Sequence, residues 1–460
     1  MTYQSVNPYN GKVLASFHRL TNRELEMAMD SAHNCFEDWK SRSFTNKTKV
    51  LLKVAEMMRD NVDYFATLIT LEMGKLLVQA RAEVMLSADI FSYYAEHAEA
   101  FLAPVDLKQK TGEAQLISSP VGLLFGIQPW NFPYYQLARF AAPNLMAGNV
   151  VLVKHAASVP QCALAFEKLI HDAGAPKGAY TNLFIDYKQV DAIIDDPRIK
   201  GVALTGSVEA GKMVATRAGK SLKKTTMELG GSDAFIVLED ADLDAAVKWA
   251  IWAKMNNTGQ SCVAAKRFIV VESVADEFLE KFKAALSTFT PGDPMNNDTT
   301  LAPLSSVEAL KNLLKQVKQA VKHGATLVLG GKHFDCAGAY MQPTILTNIS
   351  RDNPAYGQEF FGPVALFFKV KDEEEAIELV NDSEFGLGGS VFSRDIDRAK
   401  RVANHIDTGM VFINQSTWTA PDLPFGGIKN SGYGRELSSL GIQEFVNKKL
   451  VRVSNVAAPG

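Results

Sequence analysis

Four cysteines in 460 residues are too few and too scattered to build much. Cys35, Cys162, Cys262 and Cys336 include no Cys-x-x-Cys pair, so neither a metal site nor a disulfide framework is indicated, and a reducing compartment fits. Charge of one sign is also lacking: 48 Lys+Arg against 51 Asp+Glu leave a formal net charge of -3. That balance carries no electrostatic footprint for nucleic acid or an anionic membrane surface. No apolar run approaches the roughly 20 residues of a membrane span. Met1-Thr2-Tyr3-Gln4-Ser5 has neither a basic nor an apolar leader region, so a cytoplasmic location is expected. Repeats, low-complexity tracts and the GxGxxG dinucleotide fingerprint are missing too.

What is present is an ordinary soluble composition, 47% apolar and 22% charged, on a chain long enough for two or three domains. An Asn10-Gly11 turn between short strands opens it, and helical spacing runs from Asn22 to about Ala103. Short apolar runs then alternate with helical segments. Val121–Ile127, Val150–Val153, Gly201–Leu204 and Ala234–Leu238 form one series. Arg267–Val271, Thr326–Leu329, Ala365–Val370, Gly389–Phe392 and Gly409–Ile413 form a second. Continuous apolar strands between helices imply parallel sheets covered on both faces. The reading is α/β, with two open, doubly wound domains and their seam just after Glu228-Leu229-Gly230-Gly231.

The chemistry concentrates at few places. Cys262 ends the run Asn257-Thr258-Gly259-Gln260-Ser261, thirty-four residues after Glu228. A lone cysteine is commonly a small buried hydrophobe, but this polar run is an unusual core segment, and Gly259 permits close backbone approach. No histidine accompanies the thiol as a base. Glu228 is followed by two glycines, which weaken a strand unless something must come close. Asn131 lies in Pro129-Trp130-Asn131-Phe132-Pro133, where a turn cap is the plain alternative. Leu204-Thr205-Gly206-Ser207, with Gly211 beyond, stands between a strand and a helix, a modest signal for an anion site and often only a cap. Gln358-Glu359-Phe360-Phe361-Gly362-Pro363-Val364 completes the set.

Together these motifs, from Asn7-Pro8 to about Phe445, resemble the aldehyde dehydrogenase superfamily. The resemblance implies that Cys262 is the nucleophile, that Glu228 activates the water hydrolysing a thioester, and that Asn131 stabilises the oxyanion. It also implies a nicotinamide cofactor, with Gly206 and Ser207 at the pyrophosphate, Trp130 lining the channel and the Leu229 carbonyl against the nicotinamide amide. Glu359 would hold the nicotinamide ribose, with Phe361 packing nearby, and Lys154 would contact the adenosine ribose. Ala157 stands where many NAD-specific relatives carry a glutamate. Removing like charge there while keeping Lys154 favours a 2′-phosphate by about 4 kcal/mol before desolvation, at about 4 Å and an effective dielectric of about 20. The expected cofactor is therefore NADP, with NAD as the alternative.

Within the superfamily the chain is most similar to the short bacterial succinate-semialdehyde dehydrogenases. Arg139, nine residues after Trp130, matches an arginine that grips the distal carboxylate of the substrate in those enzymes. A helix-surface arginine is the alternative. Two departures stand against the match: Asn256 replaces a second arginine, and Gln415–Leu423 aligns poorly with the substrate loop, where Trp418 or Ser416 could line the pocket. Ala264 rules out a redox pair with Cys262. The implied domains are a cofactor domain over 1–105 and 121–231, a catalytic domain over 232–442, and an oligomerisation segment over 106–120 and 443–460. A homodimer or homotetramer is implied by the same likeness. Competing readings are a dehydrogenase for glutarate semialdehyde, lactaldehyde or a phosphorylated aldehyde, and a non-catalytic binding protein of the same fold.

Overall fold

The computed structural model describes residues 3–110 and 112–454. Met1, Thr2 and residues 455–460, the end of the expected oligomerisation segment, lie outside the described residues. Strands Tyr3–Val6 and Val13–Phe17 pair antiparallel around the Asn10-Gly11 turn, where Gly11 adopts φ 72°. Four helices follow: Asn22–Ser41, Phe44–Asp60, Val62–Met73 and Leu77–Phe101. The first begins at a reciprocal cap, in which Thr21 accepts from the Glu24 N–H while the Glu24 carboxylate accepts from Thr21.

Two parallel sheets form the body. The first has six strands in the order Gly432–Tyr433, Lys224–Glu228, Ile199–Thr205, Leu123–Gln128, Val150–His155 and Tyr180–Asn182. All neighbours are parallel except Gly432–Tyr433, which runs antiparallel to Lys224–Glu228. The second has seven: Thr326–Leu329, Thr344–Thr347, Val364–Val370, Ala265–Val271, Asp233–Val237, Gly389–Phe392 and Phe412–Ile413. Alternation along Asp233–Val237 explains its two faces. Ala234 and Ile236 join one apolar cluster while Phe235 and Val237 join another, so helices cover both sides.

Most of the alternating apolar runs become buried parallel strands, and the two-sheet α/β architecture is as expected; Thr326–Leu329 is the exception, a partly exposed edge strand that pairs antiparallel with Thr344–Thr347. Two details differ. Thr344–Thr347 is a fully paired strand, though it is only four residues long and Pro343 precedes it. The chain after residue 423 does not stay with the second sheet: Gly432–Tyr433 enters the first, and Phe425, Leu437, Ile442 and Phe445 are buried in the first domain's core. This apolar segment, placed before the expected boundary at 442, finds its partners across the seam. A third sheet joins Val446–Val453, Glu113–Pro120 and Val105–Asp106 antiparallel. Among the described residues no helix is long and apolar enough to cross a membrane.

Candidate active site

The turn that leads into Cys262, the expected nucleophile, is built from a strained backbone. Helix Leu243–Met255 ends, and Asn257, Thr258 and Gly259 take φ of 53°, 54° and 73° in succession. Asparagine and threonine enter this left-handed region at a cost of about 1–3 kcal/mol each, so the surroundings must enforce it. They do so through side chains. Asn257 Nδ2 donates to the carbonyls of Asn131 and Gln260, at 2.9 and 3.0 Å, and its backbone N–H donates to Gln79 Oε1 at 3.1 Å. Thr258 Oγ1 donates to Ala302 O, and Gln260 Oε1 accepts from the Ser305 N–H. Gly259 is required twice over, by its φ and because a Cβ would sit 2.2 Å from Gly362 O.

Cys262 follows this turn and keeps some exposed surface. The protein packed around its sulfur pushes the thiol up to about 11; Lys266 and Arg139 pull it down, while Glu359 and Asp233 oppose them. Asn131 comes to the same turn: its Nδ2 donates to Gln260 O at 3.2 Å. The loop carrying Asn131 is fastened from beneath by two buried charges. Lys75 Nζ pairs with Glu83 Oε2 and donates to Asn131 O at 2.9 Å, while Glu83 Oε1 accepts from the N–H groups of Tyr134 and Tyr135. Those two N–H groups belong to the first turn of helix Pro133–Ala147, which a carboxylate stabilises. Neither Lys75 nor Glu83 carries a motif: Lys75 lies in the short connection between helices Val62–Met73 and Leu77–Phe101, and Glu83 within the second of them.

Glu228 ends its strand only 3% exposed, and neither carboxylate oxygen has a hydrogen-bond partner. Its side chain lies against Gly426, where a Cβ would stand 2.8 Å from Oε1. Burial, then the Glu436 carboxylate, raises its pKa well above the usual carboxylate range, against the pull of Arg139 and Arg435.

Arg139, expected to grip the substrate carboxylate, lies inside the protein and not on a helix surface. Its side chain is 1% exposed and ion-paired to Glu436; Nη1 donates to Tyr135 OH at 3.1 Å and Nη2 to Thr205 Oγ1 at 3.1 Å. Its guanidinium also lies over the Phe425 ring at 4.5 Å. Burial lowers its pKa, but Glu436, Tyr135, Glu228 and Cys262 more than compensate, and the net shift is upward. These contacts engage three of the guanidinium's five N–H groups. Arg139 borders the site as the counter-charge of Glu436, and Tyr135 OH, 2.8 Å from Thr419 Oγ1, stands between it and the 415–423 segment. Of the two residues considered there, Ser416 is buried, while Trp418 is exposed and packs on Trp252 with ring centroids 5.2 Å apart.

The residues expected to hold a nicotinamide cofactor line one edge of the first sheet and the seam. Ser207 caps helix Val208–Lys220, accepting from the Ala210 N–H at 3.3 Å, and the Gly206 N–H donates to Glu228 O. Gly211 lies against the Leu229 side chain, where a Cβ would be 2.6 Å from Leu229 Cδ1. Trp130 and Phe361 meet edge to face at 5.8 Å. Glu359 accepts from the Gly231 N–H at 3.1 Å and from Lys266. Lys154 is held 5.8 Å over Tyr3 and 5.7 Å over Tyr187, burial pulls its pKa down, and a phosphate there would supply a counter-charge. Ala157 packs on the Tyr3, Ala163 and Phe184 cluster, so that position offers an apolar wall. This donor set fits a phosphorylated dinucleotide.

The geometry has counterparts among known proteins. The aldehyde dehydrogenase family model matches residues 1–451, and the chain belongs to that family. Its relatives narrow the class. The NADP-dependent succinate-semialdehyde dehydrogenase of Deinococcus radiodurans is 50% identical over 450 residues, covering 98% of this chain and 94% of that one. The solved structure of succinic semialdehyde dehydrogenase from Streptococcus pyogenes in complex with NADP+ matches with a TM-score of 0.97 at 46% identity, covering 98% of this chain and 100% of that one. That of Gox0499 matches with a TM-score of 0.98 at 57% identity, covering 99% and 100%.

Proposed function

We propose that this protein oxidises succinate semialdehyde to succinate with NADP, NAD serving as the alternative, through a covalent intermediate on Cys262. The observation that carries the reading is the docking of the Asn131 amide on the nucleophile turn, with the unpartnered Glu228 sharing Arg139 as a neighbour with Cys262. The names of the relatives support the substrate and the cofactor.

Cys262, as thiolate, adds to the aldehyde carbon, and the carbonyl oxygen takes up the negative charge. Asn131 Nδ2 and the Cys262 backbone N–H donate to that oxygen. A nicotinamide bound there would supply the hydride acceptor; the Cys262 adduct, on losing its hydrogen as hydride, becomes a thioester. Gly206, Ser207, Lys154, Trp130, Leu229, Glu359 and Phe361 are the residues that would hold the cofactor. Glu228 then takes a proton from water as the water oxygen attacks the thioester, and the Cys262 sulfur departs as thiolate. The overall change consumes aldehyde, water and oxidised cofactor, and yields carboxylate, reduced cofactor and two protons.

The same reading places the protein in the cytoplasm as a homodimer or homotetramer. The edge strand Val446–Val453, with Leu450, Val451 and Val453 exposed, supports association there. Initial rates on succinate semialdehyde and on a neutral aldehyde of similar length, each with NADP and NAD, test the proposal. Preference for the semialdehyde with NADP is expected, and Ala157→Glu should move the preference toward NAD. Equal rates on the neutral aldehyde would remove the substrate assignment.

A further inference from the structure

Lys266 opens the strand Ala265–Val271, four residues after Cys262, and its side chain is 0% exposed. An ammonium has three N–H donors. Three acceptors surround this one: Ser261 O at 2.7 Å, Cys262 O at 2.7 Å and Glu359 Oε1 at 3.1 Å. The Glu359 carboxylate is drawn inward to the same place. Its Oε1 also accepts from the Gly231 N–H, and its Oε2 lies 2.4 Å from where a Cβ on Gly230 would be. A Cβ on Gly231 would stand 2.6 Å from Cys262 O. The double glycine after Glu228 therefore makes room for two things at once, the Glu359 carboxylate and the nucleophile's own carbonyl. Among the described residues, Lys266 is the one side chain bonded to both.

A buried lysine is most simply explained as the partner of a nearby carboxylate. Here that explanation covers only the longest of the three contacts. The two shorter ones fix consecutive peptide carbonyls, those of the nucleophile and of the residue before it.

We propose that Lys266 is a positioning residue for the oxidation reaction: it locks the Cys262 turn by its two carbonyls and ties that turn to Glu359. The inference rests on the reading of Cys262 as the nucleophile. The charged groups facing the thiol are Lys266 and Arg139, which favour the thiolate, and Glu359 and Asp233, which oppose it. Removing the Lys266 ammonium leaves three buried acceptors unpaired and tips that balance toward the neutral thiol.

The test is alkylation of Cys262 by iodoacetamide across pH in the full-length, cofactor-free protein, followed peptide by peptide. Exposed Cys336 serves as the internal control. Lys266→Met should raise the pH midpoint at Cys262 by about one unit, making alkylation about tenfold slower at a fixed pH below it, with Cys336 unchanged. Lys266→Arg should restore most of the rate, and Glu359→Gln should move the midpoint the other way. In turnover, Lys266→Met should depress kcat more than it raises KM for the aldehyde. An unchanged Cys262 midpoint in Lys266→Met overturns the proposal, as does a shift that Cys336 shares and Lys266→Arg does not reverse. Should Lys266→Met fail to fold, Glu359→Gln decides: an unaltered Cys262 midpoint there overturns it equally. Cys262→Ser separates the two readings. If that variant keeps its activity, the nucleophile assignment fails; if it is dead while Lys266→Met titrates like the unmodified protein, only the role of Lys266 fails.

Discussion

The two sides of the cleft are built in opposite ways. On the Cys262 side nearly every polar atom of the turn is bonded: Asn257, Thr258, Gln260 and Lys266 each hold a named carbonyl or N–H, and two non-glycine residues stay at positive φ because of it. On the Glu228 side a buried carboxyl has no hydrogen-bond partner at either oxygen and faces a bare glycine. A nucleophile gains from being fixed, because attack requires one geometry. A base that must take a proton from water gains from an environment that keeps its pKa high and its oxygens free. In the proposed mechanism the asymmetry separates the group that bonds carbon from the group that moves a proton.

Substitutions can break this contrast at either end. The largest effect belongs to Cys262→Ser, which should lower kcat by about 10⁴-fold or more, since nothing else on the turn can form the covalent adduct. Residual activity within about tenfold of the unmodified enzyme, well short of that loss, would move the nucleophile elsewhere. Glu228→Gln should reduce steady-state turnover by about 10²–10⁴-fold yet preserve a pre-steady-state burst of reduced cofactor, because acylation survives while hydrolysis stalls. Loss of the burst together with turnover would mean that Glu228 acts before the thioester forms.

The pH dependence sharpens the comparison, since both groups work deprotonated and both are pushed upward, Cys262 to about 11 and Glu228 well above the carboxylate range. Activity must therefore rise with pH. The kcat/KM of the free enzyme should climb by up to about tenfold per unit while Cys262 is protonated, kcat should climb likewise while Glu228 is protonated in the thioester, and profiles flat through neutrality would contradict these environments. The smallest effect is expected in a ratio. Arg139→Ala strips Glu436 of its counter-charge beside Glu228, so it should slow oxidation of a neutral aldehyde and of succinate semialdehyde alike. Comparing kcat/KM for the two substrates in that variant checks this, and a loss confined to the semialdehyde would reinstate a substrate grip.

The residues of the proposed site stand out in the sequence. Cys262, Glu228 and Asn131 sit in runs whose glycines and prolines make poor core, and the apolar strands around them betray two parallel sheets. The rest depends on partners far apart in the chain. Arg139 and Glu436 are both ordinary helix or loop charges until folding buries them against each other. Lys266 did leave a trace, as a cation next to Arg267 at the start of a strand that is otherwise apolar, but nothing in the spacing says which carbonyls it reaches. The strand Gly432–Tyr433 is two residues long, and no periodicity can reveal an element that short.

That short strand governs how the molecule comes apart. Because it hydrogen-bonds to Lys224–Glu228, and the residues flanking it are buried in the first domain's core, the second lobe is sewn to the first a second time, right beside the covalent seam, by a segment from far along the chain. Neither lobe can shed its structure without tearing a strand or a core residue out of the other. Heat should therefore take both in a single calorimetric transition, and the cleft between them inherits the rigidity of a continuous fold.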